Sequence, residues 1–345
     1  MIGADFGTIG NGQKPSRPVG GSLAAALGSN PRGHATGRGG SRVGTPIAYF
    51  RGRWMPLEEA TVSIATHALN YGTGCFEGIR AYYNKASDRL FLFRVREHYE
   101  RFHASCRILR IEVPHSVDEL CQLTVELLRR NPMRQDVYVR PLAFKADPVI
   151  KVSLDGIADQ FGLFAVPLGD YLPTQGIHVM VSPWRRIDDN AVPARAKITG
   201  SYINTAIAVS DAHAAGFDDC IFLNEDGHVS EGSAANLFMV RKGALVTPPV
   251  TDNLLEGITR EVIFELARDQ QIPVVERHID RTELYVAEEV FLVGTGVQVV
   301  PVVSIDHRPV GEGQMGPITQ SLQALYFATV RGENLRYQHW LTPVE

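Results

Sequence analysis

The sequence predicts an α/β protein of two domains in which helices and strands are interspersed. The chain has 345 residues, of which 44% are hydrophobic, and this suffices for two domains of ordinary size. Short apolar runs typical of strands are interspersed with amphipathic helical stretches from residue 45 onward. A segment rich in turn-forming residues, 168–176, lies between two such regions and is predicted to be an interdomain linker.

The elements of the first domain, residues 45–167, begin after a segment of different composition. Residues 1–44 are rich in Gly, Ser, Pro and Arg without periodicity, which predicts a mobile N-terminal extension. Strands are predicted at Ile47–Phe50 and Leu90–Phe93, followed by a helix at Val95–Leu109.

The rest of the first domain combines one more helix with two strands. Ser116 and Glu119 have the spacing of a capping box, and the leucines that follow recur on one helical face. Asp136–Phe144 alternates as a strand that is expected to end near Pro141, and Gln160–Pro167 is predicted to be another strand. The domain is therefore of the α+β kind.

The second domain is predicted to be larger and to cover residues 177–345. It should open with a strand at Ile177–Val181, and a helix beginning near Tyr202 should end at Gly216. Two more helices are predicted at residues 257–270 and 317–330, with a strand-turn-strand unit at Val290–Val303 between them.

Charge and cysteine content exclude several classes of function. The formal net charge is −4 and basic residues form no long run, so neither nucleic acid nor an anionic membrane is an expected partner. Glycines interrupt the longest apolar stretch, Val290–Val303, so no membrane span is predicted. The four cysteines are far apart, which indicates neither a disulfide framework nor a metal site. A cytoplasmic protein is expected.

Lys197 is the first candidate for a catalytic group, because it lies among small and apolar residues just before a helix. Apolar surroundings lower the pKa of a lysine amine, and a neutral amine attacks an aldehyde to form a Schiff base. Pyridoxal phosphate requires such an amine, an anion at its ring nitrogen, and donors for its phosphate and phenolic oxygen. Tyr202 is the candidate donor to the phenolic oxygen, and Glu231, in a turn of small residues, is the candidate anion.

Two turns and one arginine are candidates for binding the phosphate. Gly257 begins a predicted helix, so the amides of Ile258 and Thr259 should point toward an anion. The turn at Thr295 offers further amides and a hydroxyl, and Arg101 offers a compensating charge. Neither a Rossmann fingerprint nor a P-loop is present, which disfavours nicotinamide and nucleoside triphosphate enzymes.

Seven separated motifs occur together in one order. They are His67–Gly74, Phe76–Arg80, Tyr138–Pro141, Ala196–Lys197, Ser230–Gly232, Gly257–Arg260 and Gly294–Thr295. In this combination the chain, from about Thr45 to Glu345, closely resembles the branched-chain amino acid aminotransferases, which belong to fold type IV of the pyridoxal phosphate enzymes. The resemblance implies a two-domain enzyme with the cofactor in the interdomain cleft, acting on amino acids and 2-oxo acids.

The resemblance also implies a role for each matching residue. Lys197 would form the Schiff base, Tyr202 would contact the phenolic oxygen, and Glu231 would contact the ring nitrogen. The phosphate would be bound by Arg101, Ile258, Thr259 and Thr295. The substrate would be bound by Tyr71, Phe76, Gly78, Tyr138, Arg140, Tyr171, Thr295 and Gly296, with Tyr71 contributed by a neighbouring subunit. A homodimer or a higher homo-oligomer is therefore expected.

Alternation along the strand at Asp136–Arg140 places Tyr138 and Arg140 on the same face, toward the cleft. Arg140 is therefore the candidate for binding the distal carboxylate of glutamate. The expected reaction is amino transfer between leucine, isoleucine or valine and 2-oxoglutarate. Alternatives of the same fold are a D-amino acid or (R)-amine transaminase and an aminodeoxychorismate lyase-like enzyme, and a non-catalytic binding module is the remaining possibility.

Overall fold

The structure is a computed structural model that describes residues 45–344. The predicted extension at residues 1–44 lies outside the described residues. The described chain contains two β-sheets with helices packed against them, and this mixed α/β architecture confirms the predicted fold class.

The first sheet contains the N-terminal strands. They are β1 (Ile47–Phe50), β2 (Arg53–Pro56), β3 (Gly74–Phe76), β4 (Ile79–Asn84), β5 (Arg89–Phe93), β6 (Val137–Lys145) and β7 (Asp159–Pro167). The helices of this half are α1 (His67–Tyr71), α2 (Val95–Ile108) and α3 (Val117–Arg130). The predicted capping box is present at the start of α3, where the Ser116 hydroxyl accepts from the Glu119 amide and the Glu119 carboxylate accepts from the Ser116 amide.

The second sheet begins after residues 168–176. Its strands are β8 (Ile177–Arg185), β9 (Asp219–Leu223), β10 (Val229–Gly232), β11 (Asn236–Arg241), β12 (Ala244–Thr247), β13 (Val274–Glu276), β14 (Glu289–Gly294), β15 (Gln298–Ile305) and β16 (Arg308–Pro309). The helices are α4 (Tyr202–Ala214), α5 (Ile258–Asp269) and α6 (Pro317–Val330). Short 3-10 helices span Leu57–Glu59, Val250–Asp252, Arg281–Val286 and Leu335–Trp340.

Both halves contribute to one apolar core between the sheets. Tyr82 of β4 and Phe93 of β5 pack in the same cluster as Phe238, Phe291 and Tyr326 from the second half. The hydroxyls of Tyr82 and Tyr326 are 3.0 Å apart and hydrogen-bond across this core. Burial of several large aromatic side chains stabilises the relative position of the two sheets, and hence the geometry of any site between them.

The strand prediction near Pro141 was wrong, because β6 continues through this proline to Lys145. On one side β6 pairs with β7 along its whole length. On the other side its partner changes from β4 to β3 around Pro141, which is paired with neither. The missing amide proton of proline thus falls where no partner strand requires it.

The C-terminal strand also departs from the predicted division of the chain. β17 (Leu341–Val344) pairs antiparallel with β5 and forms the edge of the first sheet, although the sequence assigned these residues to the second domain. Periodicity predicts that a segment is a strand but carries no information about its partner. Among residues 45–344, no helix has the length and apolar character required to cross a membrane.

Candidate active site

A cavity of about 330 Å³ lies between the two sheets. Residues of β3, β6 and α2 line it from the first half, and residues of β10, β14 and the start of α5 line it from the second. The volume is within the range of sites for small ligands and cofactors.

The Lys197 backbone is held by the first half of the protein. Its carbonyl accepts from the Phe76 amide at 3.0 Å, and its amide donates to the Ser105 hydroxyl at 3.1 Å. The next residue, Ile198, is paired with Cys75 in an isolated β-bridge. With its backbone fixed in this way, Lys197 extends its amine into the cavity, where Nζ is 2.9 Å from the Tyr202 hydroxyl at the start of α4.

Glu231 of β10 presents a buried carboxylate to the same cavity, with an exposed fraction of 3%. Oε1 is 2.7 Å from Nη2 of Arg186, and Oε2 accepts from the Asn236 side-chain amide at 3.1 Å. Burial raises the pKa of Glu231 above its usual value, and the positive charge of Arg186 opposes this rise. The carboxylate therefore depends on Arg186 for its charge.

The start of α5 forms another wall of the cavity through Gly257, Ile258 and Thr259. Gly257 is the N-cap residue and provides no side-chain hydrogen bond to the free amides of the first turn. A Cβ atom at this position would lie 1.9 Å from Oδ1 of Asn236, so only glycine fits. The first turn of a helix without a side-chain cap is suited to binding an anion.

Arg101 of α2 lines the cavity near this helix start. Its Nε and Nη2 donate to the two oxygens of Glu77 at 2.7 and 2.8 Å, and Nη1 donates to the Glu256 carbonyl at 2.7 Å. Burial alone would raise the pKa of Glu77, but Arg101 and a hydrogen bond from His98 outweigh this effect and hold it well below its usual range. Glu77 is therefore a permanent buried anion.

The opposite end of the cavity is aromatic and contains a second arginine. Nη2 of Arg140 donates to the Tyr138 hydroxyl at 3.1 Å, and the guanidinium lies 4.3 Å from the Phe76 ring centroid. Gly78 allows Tyr138 to approach, because a Cβ atom there would lie 1.9 Å from the tyrosine oxygen. Tyr171, Thr295 and Gly296 complete this end.

The structure brings all but one of the predicted site residues together around the cavity. The exception is Tyr71, at the end of α1, which is not among the cavity-lining residues and has an exposed fraction of 38%. Its ring contacts that of His67, with centroids 4.7 Å apart. Tyr71 therefore does not contribute to the cavity of its own subunit.

Three residues that contact the predicted groups were not assigned a role from the sequence. Arg186 pairs with Glu231, Asn236 donates to the same carboxylate, and Glu77 orients Arg101. Glu77 and Asn236 lie next to predicted site residues in the motifs, and that proximity was the available signal. Arg186 follows the end of β8 and carried no such signal.

These residues fit pyridoxal phosphate in the donor set that they present. A lysine amine, an adjacent tyrosine hydroxyl and a buried carboxylate face the cavity together with an uncapped helix start and an arginine. These are the amine, the phenolic-oxygen donor, the ring-nitrogen partner and the phosphate donors that the cofactor requires.

Comparison with known proteins shows the class of protein that this fold and site define. The family model for class IV aminotransferases matches residues 74–305, and the chain belongs to this family. The resemblance noted in the sequence is thereby confirmed.

Within this family the chain is similar to proteins named branched-chain-amino-acid aminotransferases. A probable enzyme of that name from Aquifex aeolicus is 44% identical, over 86% of this chain and 96% of the relative. A crystal structure of the branched-chain aminotransferase from Thermoproteus uzoniensis with norvaline has a TM-score of 0.85 and 42% identity, covering 88% of this chain and 100% of that one. The enzyme from T.th., complexed with N-(5'-phosphopyridoxyl)-L-glutamate, has a TM-score of 0.83 and 38% identity with the same coverage.

Proposed function

We propose that the protein is a pyridoxal phosphate-dependent branched-chain-amino-acid aminotransferase that transfers the amino group of leucine, isoleucine or valine to 2-oxoglutarate. The observation that carries this proposal is the composition of one cavity, which combines the Lys197 amine and the Glu231 carboxylate with an aromatic end containing Arg140. Such an end suits both an apolar side chain and a distal carboxylate. The solved relatives with norvaline and with phosphopyridoxyl-glutamate support the same pair of substrate types.

The cofactor would be held by residues from both halves of the protein. When bound, pyridoxal phosphate supplies an aldehyde for the lysine amine and a ring that accepts electrons from the substrate. Glu231, held by Arg186, would face the ring nitrogen, and Tyr202 would face the phenolic oxygen. Arg101, Ile258, Thr259 and Thr295 would bind the phosphate.

Lys197 would also transfer the proton. Once substrate has displaced it from the cofactor, its amine is free to accept the proton of the substrate α-carbon and to return it on the other side of the reaction. The distance of 2.9 Å between Nζ and the Tyr202 hydroxyl supports an orienting role for Tyr202. The backbone contacts of Lys197 with Phe76 and Ser105 limit the displacement of the amine.

The substrate would be oriented by its two ends. Tyr138 and the turn at Thr295 and Gly296 would bind the α-carboxylate, beside Gly78. Phe76 and Tyr171 would enclose an apolar side chain. Arg140 would bind the distal carboxylate of glutamate or 2-oxoglutarate.

A second copy of the chain would complete the site. Ile64, Leu69 and Tyr71 are 86, 64 and 38% exposed, and an apolar surface of this kind is typical of an interface between subunits. We propose a homodimer, or a higher oligomer built from it, in the cytoplasm, with Tyr71 entering the cavity of the partner. Sedimentation equilibrium tests the assembly, and Leu69→Lys should dissociate it.

A panel of single half-reactions tests the proposed function. The purified holoenzyme is mixed with L-leucine, D-alanine, an (R)-amine or L-glutamate, and conversion of the bound cofactor to its amine form is followed by absorbance. We expect conversion with L-leucine and L-glutamate only. Conversion with the D-amino acid or the (R)-amine alone would identify the other transaminases, and no conversion with any of them would favour a lyase.

A further inference from the structure

Glu77 is a carboxylate with an exposed fraction of 0% that lies behind the cavity wall. Both of its neighbours, Phe76 and Gly78, line the cavity, but Glu77 does not. Its Oε1 accepts from Nε of Arg101 at 2.7 Å. Its Oε2 accepts from Nη2 of Arg101 at 2.8 Å, from Nδ1 of His98 at 2.8 Å and from the Gly78 amide at 3.2 Å.

His98 acts as a neutral donor in this cluster. Burial lowers the pKa of His98 below its usual value, although the hydrogen bond to Glu77 opposes the effect. Because Glu77 only accepts, the imidazole proton lies on Nδ1. The cluster of Glu77, His98 and Arg101 therefore carries one negative and one positive charge, and its net charge is zero.

All three nitrogens of the Arg101 guanidinium are fixed by protein groups. Glu77 binds Nε and Nη2 as a bidentate partner, and the Glu256 carbonyl, immediately before the N-cap of α5, binds Nη1. Each terminal nitrogen has a second N–H, and the guanidinium lines the cavity beside the start of α5. Arginine has many rotamers in isolation, so this arrangement selects one of them before any ligand binds.

We propose that Glu77 is a positioning residue that orients Arg101 toward the phosphate of the cofactor, an inference that rests on the proposed function. Because Glu77 cancels the charge of Arg101, the arginine contributes directed N–H groups rather than a net positive charge. Selection for a phosphate at this point therefore depends on the geometry of the Glu77–Arg101 pair.

The variant Glu77→Gln tests this role, because it preserves the shape of the side chain while replacing one acceptor oxygen with an NH₂ group. That group faces an N–H donor, so at least one bond to the cluster is lost. The apo protein should bind pyridoxal phosphate roughly tenfold to a hundredfold more weakly, the range for one charge-assisted hydrogen bond. Pyridoxal, which lacks the phosphate, should bind with a change of less than about threefold, because its contacts do not include Arg101. Both constants are measured by absorbance titration of the apo protein.

Glu289→Gln is the matched control. Glu289 is also buried, with an exposed fraction of 6%, and accepts from the amides of Ile318 and Thr319 at 3.0 and 2.7 Å at the start of α6, outside the cavity lining. It should leave the ratio of the two binding constants unchanged. If Glu77→Gln does not fold, Glu77→Asp, which is too short to reach both nitrogens, is judged by the same ratio.

Two results would overturn the proposal. Equal weakening of pyridoxal and pyridoxal phosphate would show that Glu77 supports the fold of the whole site, and unchanged binding of both would show that Arg101 is oriented without it. The half-reaction of the unmodified holoenzyme with L-leucine is measured separately. Its absence would contradict the proposed function and would leave the ratio of binding constants as an independent result.

Discussion

Arg140→Leu should separate the two kinds of substrate that the cavity has to accept. The guanidinium stacks 4.3 Å from the ring centroid of Phe76 and 5.2 Å from that of Tyr138. Nη2 donates to the Tyr138 hydroxyl, whereas Nε is buried without a hydrogen-bond partner, and within residues 45–344 no carboxylate forms an ion pair with Arg140. A cation in this position is available to a carboxylate that enters with the substrate.

The magnitude follows from the charge pair that the variant removes. Two unit charges about 4 Å apart interact by about 4 kcal/mol at an effective dielectric constant of about 20. Part of this is offset, since Arg140 gives up contacts with water and with Tyr138 when it binds the carboxylate. We therefore expect a loss of about 2 kcal/mol for glutamate and 2-oxoglutarate, or roughly 30-fold in affinity. Leucine makes no ion pair and should change by less than about threefold, because the variant side chain remains apolar.

The assay is the single-turnover half-reaction, which gives a binding constant and a rate constant for L-glutamate and for L-leucine. Arg308→Leu is the control, because Arg308 also stacks on an aromatic ring, that of Tyr285 at 4.6 Å, but does not line the cavity. An equal loss for leucine and glutamate would refute the reasoning. It would mean that Arg140 maintains the fold of β6 or the position of Tyr138, and that another group binds the distal carboxylate.

Four further outcomes are expected. Lys197→Ala should lose the visible absorbance of the lysine-linked cofactor, and borohydride should no longer attach the cofactor to the chain, as read by mass spectrometry. Glu231→Gln should retain the cofactor but slow removal of the substrate α-proton in single-turnover experiments, because a neutral amide stabilises a protonated ring nitrogen less than a carboxylate does. Deletion of Met1–Gly44 should leave assembly and kcat/KM unchanged, since no site residue is predicted there. Burial raises the pKa of Asp219 to about 6. The folded state therefore binds the extra proton, and the free energy of unfolding should fall by up to about 3 kcal/mol as the pH rises from about 4 through about 6. Asp219→Asn should flatten this part of the profile in urea titrations.

The cofactor-facing groups were predictable because each of them lies at a local feature of the sequence. Lys197 precedes a helix, Gly257 caps one, and Glu231 lies in a run of small residues. Such features are contiguous in the chain, and motif spacing reports them directly. The same holds for the capping box at Ser116, which the structure reproduces in both of its hydrogen bonds.

The groups that orient the cofactor-facing residues were not predictable in the same way. Glu77 is 24 positions from Arg101, and Arg186 lies on the other side of α4 from Glu231 in the chain. These pairs form only when separate elements pack together, and local sequence patterns do not encode tertiary partners. For the same reason Pro141 was misread, because the gap between β3 and β4 that accommodates it is a property of the sheet.

The position of β17 has a consequence for the biogenesis of the protein. Residues 341–344 emerge from the ribosome after every other described residue, yet they pair with β5 at Leu90–Phe93. Until then the β5 edge, which carries two leucines and two phenylalanines, is open to pairing with other chains. A fragment ending at residue 167 should consequently aggregate rather than fold alone, and a pairing between such distant segments should slow the final folding step. Removal of the last strand would therefore be felt first at the opposite end of the chain.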